Sequence, residues 1–176
     1  MVVNKPTLYR DCSIGGKGTD VDKKLRGWST GLIMLIVYIA ALGLGIVNRA
    51  NIGRQGVIFN RGMAFGLLAY APSWSLAVVS ALAMAALVAA WWRWREYQTV
   101  LAIIFAGALA NWTERLLWGG IVDFWRVPGY PFVFNLGDIA IRLGMIALVI
   151  QYWLLTRSVR TRSKGLAEVG REFKRR

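Results

Sequence analysis

Four stretches of the chain are long and apolar enough to cross a membrane as helices, since one crossing needs about 20 mostly apolar residues. They lie at 28–47, 72–92, 98–118 and 136–155. The first is 20 residues long and follows 27 others, which argues against a cleaved signal peptide. The sequence therefore predicts an all-α membrane protein: a four-transmembrane-helix bundle at 28–156, between a basic tail at 1–27 and another at 157–176.

A small extracytoplasmic β-like or loop element is expected between the third and fourth spans. The run GGIVDFW at 119–125 is rich in strand-forming residues, and the Pro128-Gly129 pair that follows it predicts a turn.

Positive charge is concentrated on one side of the predicted spans. Of the 22 Lys and Arg residues, six lie in 1–27, eight in 157–176 and two in the link between the second and third spans. Basic residues accumulate on the cytoplasmic side of membrane proteins, so both tails are expected to be cytoplasmic. The net charge of +13 then reflects orientation and contact with anionic membrane lipid, and no nucleic-acid partner is expected.

The residue types that are missing exclude several kinds of chemistry. The chain has no histidine, which removes histidine general bases, histidine metal sites and triads that need an imidazole. It has one cysteine, Cys12, so it cannot form an internal disulfide. Neither a metal nor a cofactor is expected.

Polar residues gather at the ends of the spans opposite the tails. Residues 111, 114 and 115 share one helical face, and Gly107, one turn away, allows another backbone to approach closely. Ionisable groups at membrane depth usually face a bundle interior or an aqueous cavity, so one shared site is expected. The residues concerned are Asn60, Arg61, Asn111, Glu114, Arg115, Asp123, Asn135 and Asp138.

Asp123 and Asp138 each allow two interpretations. In the sequence Asn135-Leu-Gly-Asp138, Asn135 fits a helix N-cap and Asp138 fits the third position of a capping box, where it would only stabilise the helix end. Asp123 alone could be an ordinary loop carboxylate. As a pair in close contact, however, they would hold one proton between them near neutral pH. The ionised member could then take a proton from water while the protonated member polarises a carbonyl, as in aspartic proteases.

Three blocks of the sequence resemble the lipoprotein signal peptidases, the signal peptidase II family. FNRGMAFGLL at 59–68 is similar to the family's Asn-x-Gly-x-Ala-Phe block. GALANWTERLLWGGIVDF at 107–124 is similar to its Gly-x-x-x-Asn-x-x-Asp-Arg block with a following Val-Asp-Phe, and FNLGDIAIRLG at 134–144 to its Phe-Asn-x-Ala-Asp block. In order and spacing these cover about half of the chain.

The resemblance implies a four-span aspartic endopeptidase of the bacterial cytoplasmic (inner) membrane. Asp123 and Asp138 would be its catalytic pair. Its substrate would be a prolipoprotein, cut before a cysteine that carries diacylglyceryl. The residues that would support the site are Asn60, Gly62, Asn111, Glu114, Arg115, Asn135 and Arg142.

Three positions depart from the family pattern. Asn48 stands where the first span would end in an acid, Glu114 stands in place of Asp, and Arg142 occupies a position expected to be small or apolar. These departures and the long basic tails motivate a second hypothesis, a catalytically altered relative that serves as a structural subunit of a larger membrane complex. The intramembrane charges motivate a third, a small ion or proton carrier.

Overall fold

The computed structural model describes residues 20–54, 56–62 and 71–175. It contains four long helices: α1, Asp20–Arg49; α2, Ser73–Arg93; α3, Gln98–Trp118; and α4, Leu136–Arg175. A single 3₁₀ turn at Arg95–Tyr97 joins α2 to α3. Two segments discussed above lie outside the described residues. They are most of the predicted N-terminal tail, which includes Cys12, and the end of the FNRGMAFGLL block at 63–68.

All four predicted spans correspond to helices. By length and composition, the segments able to cross a membrane are Gly27–Arg49, Trp74–Arg93, Arg95–Trp118 and Leu136–Thr161. The predicted four-helix membrane bundle is therefore confirmed, with boundaries that differ from the sequence estimate by a few residues.

Helix α3 is the centre of the bundle. It packs against α1, α2 and α4, and 44% of its membrane-spanning window is buried, against 11–17% for the other three helices. Trp112 of α3 donates its indole N–H to the Ala77 carbonyl of α2 at 3.0 Å. The outward faces of α1, α2 and α4 are apolar and exposed, as expected of surfaces that meet lipid.

Close contact between α3 and α4 depends on two glycines. A Cβ added at Gly107 would lie 2.5 Å from the Gly137 carbonyl oxygen, and one at Gly137 would lie 2.9 Å from the Gly107 carbonyl oxygen. The two backbones therefore meet where neither carries a side chain, which confirms the close approach predicted at Gly107.

Two short antiparallel ladders lie at the end of the bundle formed by the last turns of α1 and α3 and the first turn of α4. Strand β1 (Ile58–Asn60) pairs with β2 (Ile121–Asp123), and β3 (Trp125–Arg126) pairs with β4 (Val133–Phe134). Helix α3 ends just before β2 because Gly119, at φ 75°, adopts the left-handed conformation and donates its N–H to Arg115. The predicted β-like element and the turn at Pro128-Gly129 are both present, the latter with Gly129 at φ 78° and a 3.0 Å bond from Tyr130 N–H to Val127.

Helix α4 continues past the predicted end of the fourth span. It runs without a break through the boundary expected at 156–157 and ends at Arg175. The segment after the span contains no proline and several good helix formers, so nothing local stops the helix. The described part of the C-terminal tail is thus a continuation of α4. The division into a membrane domain and two tails stays a prediction.

Candidate active site

Asp123 is the last residue of β2, and its side chain is held by two amides from distant parts of the chain. Asn60 Nδ2 donates to Asp123 Oδ2 at 3.0 Å, and Asn135 Nδ2 donates to Asp123 Oδ1 at 2.8 Å. The β1–β2 register places Asp123 opposite Ile58, which sets Asn60 diagonally across the ladder on the same face. Asp123 is only 1% exposed, so it is not an ordinary loop carboxylate.

Asp138 lies in the first turn of α4. Asn135 Oδ1 accepts the Asp138 backbone N–H at 2.9 Å, and the Asn135 backbone N–H interacts with the Asp138 carboxylate in return. This is the predicted capping box. Asn111 of α3 also donates its Nδ2 to Asp138 Oδ1 at 2.9 Å. Asp138 therefore fits both interpretations, because its carboxylate takes part in the helix cap and also accepts a hydrogen bond from α3.

A cavity of about 560 Å³ brings the two aspartates together. Its polar groups come from β1, α2, β2, α3 and α4, and most of the remaining lining is aliphatic side chains of α2, α3 and α4. The polar part consists of Asn60, Asn111, Arg115, Asp123 and Asp138, with Ser80 further along; the apolar part includes Val79, Ala83, Leu87, Ile104, Ala108 and Ile141. Five of the predicted polar residues thus line one cavity. Arg61 does not: it is exposed, and its guanidinium lies over the Phe59 ring at 5.8 Å.

The environment of Asp123 favours its protonated form. Burial, followed by the negative charge of Asp138, raises the pKa of Asp123 from its ordinary value of 3.8 to about 6. The amides of Asn60 and Asn135 and the charge of Arg115 oppose this rise without cancelling it. At a pKa of about 6 the Asp123 carboxyl is mostly ionised at pH 7 but takes up a proton far more readily than an exposed aspartate does. That the pair holds one proton near neutral pH stays a prediction.

Arg115 links α3 to the end of β1. It is 5% exposed and donates Nη2 to the Gly62 carbonyl at 2.8 Å, while the Gly62 N–H donates to Asn60 Oδ1 at 2.9 Å. Its Nε has no hydrogen-bond partner among the described residues. Arg115 thus fixes the Asn60–Gly62 turn, which in turn orients the Asn60 amide that holds Asp123.

Glu114 lies beside the pair but outside the cavity lining. It is 2% exposed, and its Oε2 accepts the Val122 backbone N–H at 2.8 Å. Its other carboxylate oxygen occupies the space where Gly45 of α1 has no side chain. Glu114 therefore contacts the site through the backbone of β2.

The other two departures from the family pattern lie at the edge of the site. The Arg142 guanidinium packs over the Phe134 ring at 5.4 Å, one helical turn beyond Asp138. The Asn48 side chain donates back to the Leu44 carbonyl of its own helix at 2.9 Å. Within the part of the chain that the structure describes, no three acidic or cysteine side chains form a metal-binding group.

Sequence reasoning missed three participants: Gly45, Gly137 and Val122. Two are glycines that matter because a Cβ at their positions would collide with neighbouring atoms. Val122 contributes only its backbone N–H. The run GLG at 43–45, inside a predicted span, was the one available signal that a small residue on α1 faces another helix.

Comparisons with known proteins point to one family. The profile of the signal peptidase (SPase) II family matches residues 42–154. A lipoprotein signal peptidase of Burkholderia ambifaria is 36% identical over 102 residues, covering 53% of this chain and 61% of that protein. One from Paraburkholderia phytofirmans is 36% identical over 107 residues, covering 53% and 60%. The chain therefore spans about three fifths of the length of these curated relatives.

Two solved structures share the fold. A bacterial membrane enzyme determined by the in meso method at 2.3 Å resolution superposes with a TM-score of 0.65 at 24% identity, over 73% of this chain and 89% of the other. A second, at 1.9 Å, gives a TM-score of 0.58 at 25% identity, over 69% and 90%. With the profile match covering well over half of its length and including both aspartates, the chain belongs to the signal peptidase II family.

Proposed function

We propose that this chain is a membrane aspartic endopeptidase that removes the signal peptide of prolipoproteins by cutting before a diacylglyceryl-modified cysteine. The observation that carries the proposal is that Asp123 and Asp138 line one cavity, each held by asparagine amides. The names of the relatives, lipoprotein signal peptidases, support the substrate class.

In this proposal the two carboxyl groups have different roles. Asp138, with Arg142 one helical turn away, is the ionised member and takes a proton from a water molecule. The water oxygen then attacks the scissile carbonyl carbon, and protonated Asp123 donates to the carbonyl oxygen. When the tetrahedral intermediate collapses, the C–N bond breaks and the leaving amine receives the proton held by Asp138. One hydroxyl group of the intermediate returns its proton to Asp123 as the C=O bond re-forms. Asn60, Asn111 and Asn135 keep the carboxyl groups in place throughout.

The cavity also suits a lipid-modified substrate. Its aliphatic walls on α2, α3 and α4 can contact acyl chains and the apolar part of a signal peptide, while the aspartates lie among its polar lining. Substrate would then enter from the membrane, with the scissile peptide brought to the polar end.

We further propose a bacterial cytoplasmic (inner) membrane location with both termini in the cytoplasm. The support is the positive-inside distribution of Lys and Arg, together with the number of candidate spans. Four crossings would put the N-terminus of α1 and the C-terminus of α4 on the same side. The site then lies at the outer surface, where secreted precursors emerge.

The direct test is a cleavage assay with the purified full chain in detergent micelles. A diacylglyceryl-modified precursor peptide should be cut on the amino side of its modified cysteine, and the matched peptide with serine at that position should not. If the wild-type chain fails to cut the modified peptide, while its removal from cells causes a larger membrane complex to dissociate, the structural-subunit hypothesis replaces the enzyme.

A further inference from the structure

Glu114 is a buried carboxylate that the mechanism above does not use. It is 2% exposed and lies outside the cavity that contains the aspartates. A carboxylate in such a place is retained only if its contacts offset the loss of hydration. Its contacts therefore indicate what it does.

One carboxylate oxygen of Glu114 acts on the strand that carries Asp123. Oε2 accepts the Val122 N–H at 2.8 Å, and Val122 is the residue immediately before Asp123. Val122 is itself fully buried and pairs with Phe59 in the β1–β2 ladder. The bond thus fixes the position of the backbone immediately before Asp123 relative to α3.

The second carboxylate oxygen of Glu114 lies against α1. Residues Ala41, Gly45 and Arg49 are spaced four apart, so they share the face of α1 that meets α3. Ala41 and Gly45 are buried and small, and a Cβ placed at Gly45 would collide with the Glu114 carboxylate. The space left by the missing side chain at 45 is therefore the space that Glu114 fills.

Arg49 completes the surroundings of this carboxylate. Its positive charge acts on Glu114, while its guanidinium packs over the Trp118 ring at 4.5 Å and the Phe59 ring at 5.7 Å. One Arg49 nitrogen, Nη1, is buried with no hydrogen-bond partner among the described residues. Arg49 is thus held next to Glu114 by aromatic packing, in a place where a charge needs an opposite charge nearby.

From these contacts we infer that Glu114 is a positioning residue for Asp123 and that Gly45 is its matched partner on α1. The glutamate reaches the Val122 N–H because its longer side chain, compared with aspartate, is accommodated where residue 45 has no Cβ. The inference rests on the proposed function only for its effect on cleavage, since the pairing of Gly45 with Glu114 has its own structural consequence.

The test is a double-mutant cycle with Gly45→Ala, Glu114→Asp and the two together. Gly43→Ala is the matched control, because it makes the same change in the same helix where a Cβ meets nothing within 4 Å. The kcat and KM for the lipid-modified precursor and the melting temperature in detergent are measured for each variant and for the wild type.

Gly45→Ala should lower kcat about tenfold or more while KM stays within about twofold, because it displaces Asp123 without changing the apolar cavity. Glu114→Asp should lower kcat comparably, since the shorter side chain does not reach the Val122 N–H. In the double variant Gly45→Ala should add no further loss of kcat or melting temperature, because the clash is gone. Gly43→Ala should match the wild type in both measurements.

Glu114→Gln adds a variant that keeps the length of the side chain. Its amide oxygen can still accept the Val122 N–H, so kcat should stay within about threefold of the wild type, well above Glu114→Asp. If instead the losses of kcat from Gly45→Ala and Glu114→Asp multiply in the double variant, or if Glu114→Asp lowers kcat no more than Gly43→Ala does, the inference is wrong.

Two results separate this inference from the proposed function. A wild-type chain that cuts no precursor overturns the endopeptidase proposal, yet the melting temperatures still decide whether positions 45 and 114 are coupled. If Gly45→Ala alone fails to fold, recovery of a folded double variant supports the pairing, and failure of the double variant while Glu114→Asp folds contradicts it.

Discussion

Asp123 and Asp138 are held in different ways, and the difference matters when either is changed. Both oxygens of Asp123 accept asparagine amides, whereas Asp138 accepts one amide from α3 and also serves the first turn of α4. Neutralising either one removes the repulsion between two like charges in a buried place. The protein can therefore tolerate the loss of charge even where the reaction cannot.

Asp123→Asn and Asp138→Asn should each abolish cleavage while the protein stays folded. An amide neither takes a proton from water nor shares one with a partner carboxyl. Asp123→Asn replaces one carboxylate oxygen by an N–H₂ group that faces the amide N–H₂ of Asn60 or Asn135. The hydrogen bond lost lowers the free energy of unfolding by about 1 kcal/mol, which the removal of charge repulsion offsets. Tryptophan-fluorescence melting in detergent, run beside the cleavage assay, should give stability within about 1 kcal/mol of the wild type. An Asp138→Asn protein that still cuts precursor would leave Asp138 as a helix cap only.

The raised pKa of Asp123 has a consequence for stability as pH changes. Its pKa in the folded protein is about 6, above its ordinary value of 3.8, so the folded state binds more protons between these values than the unfolded state does. The contribution of the Asp123 carboxyl to the free energy of unfolding is therefore most favourable below about pH 4. It is lost as pH rises through about 6, by at most about 3 kcal/mol.

Between pH 4 and pH 7.5, the melting temperature of the wild type should fall more than that of Asp123→Asn. Asp138→Asn should show a smaller change than the wild type, because the negative charge of Asp138 is one cause of the raised pKa of Asp123. Parallel pH profiles for the wild type and Asp123→Asn would show that the Asp123 carboxyl is not perturbed as described.

At the level of secondary-structure elements, the site depends on how closely α3 and α4 approach. Asn111 reaches Asp138 because Gly107 and Gly137 let the two backbones touch one turn further into the bundle. A side chain at either glycine would act as a wedge between the helices and separate the amide from the carboxylate.

Gly107→Ala should therefore destabilise the bundle by about 1–3 kcal/mol, since the new Cβ would lie 2.5 Å from the Gly137 carbonyl oxygen and 3.0 Å from the Ala140 Cβ. It should also lower kcat, because the Asn111–Asp138 bond lengthens. Gly31→Ala on α1, where a Cβ meets nothing within 4 Å, is the control and should leave both quantities unchanged. Equal melting temperatures for the two variants would contradict tight α3–α4 packing.

The elements differ in how far the sequence determines them. Length and hydropathy predict the four spans, and the Asn135 cap is predicted because a cap depends on neighbouring residues. The contact of Asn60 with Asp123, 63 positions apart, could be expected only from the family resemblance, because no local pattern encodes the pairing of β1 with β2. The Glu114–Gly45 contact was not foreseen, since it depends on the distance between α1 and α3 and on the absence of a side chain.

For the whole molecule, the charge distribution is the support for the proposed orientation of the site. The two tails and the link between α2 and α3 hold sixteen of the 22 Lys and Arg residues, and the opposite ends of the helices hold both aspartates. Each basic residue near the cytoplasmic surface contributes on the order of 1 kcal/mol of attraction to anionic lipid, so the sum favours one orientation strongly. The site would then face the compartment into which precursors are exported.

The single cysteine of the chain offers a direct test of this orientation. Cys12, in the N-terminal tail, should not react with a membrane-impermeant maleimide in intact cells and should react after the membrane is permeabilised. The matched variant is Arg126→Cys in a Cys12→Ser background, which places the only thiol on the exposed β3 strand, at the end of the bundle that carries the site. That thiol should react in intact cells, because α3 and α4 bring β3 to the outer surface when both tails are cytoplasmic. Labelling of Cys12 without permeabilisation, with Arg126→Cys protected, would reverse the orientation and place the aspartates on the cytoplasmic side, where a peptidase for exported precursors could not act.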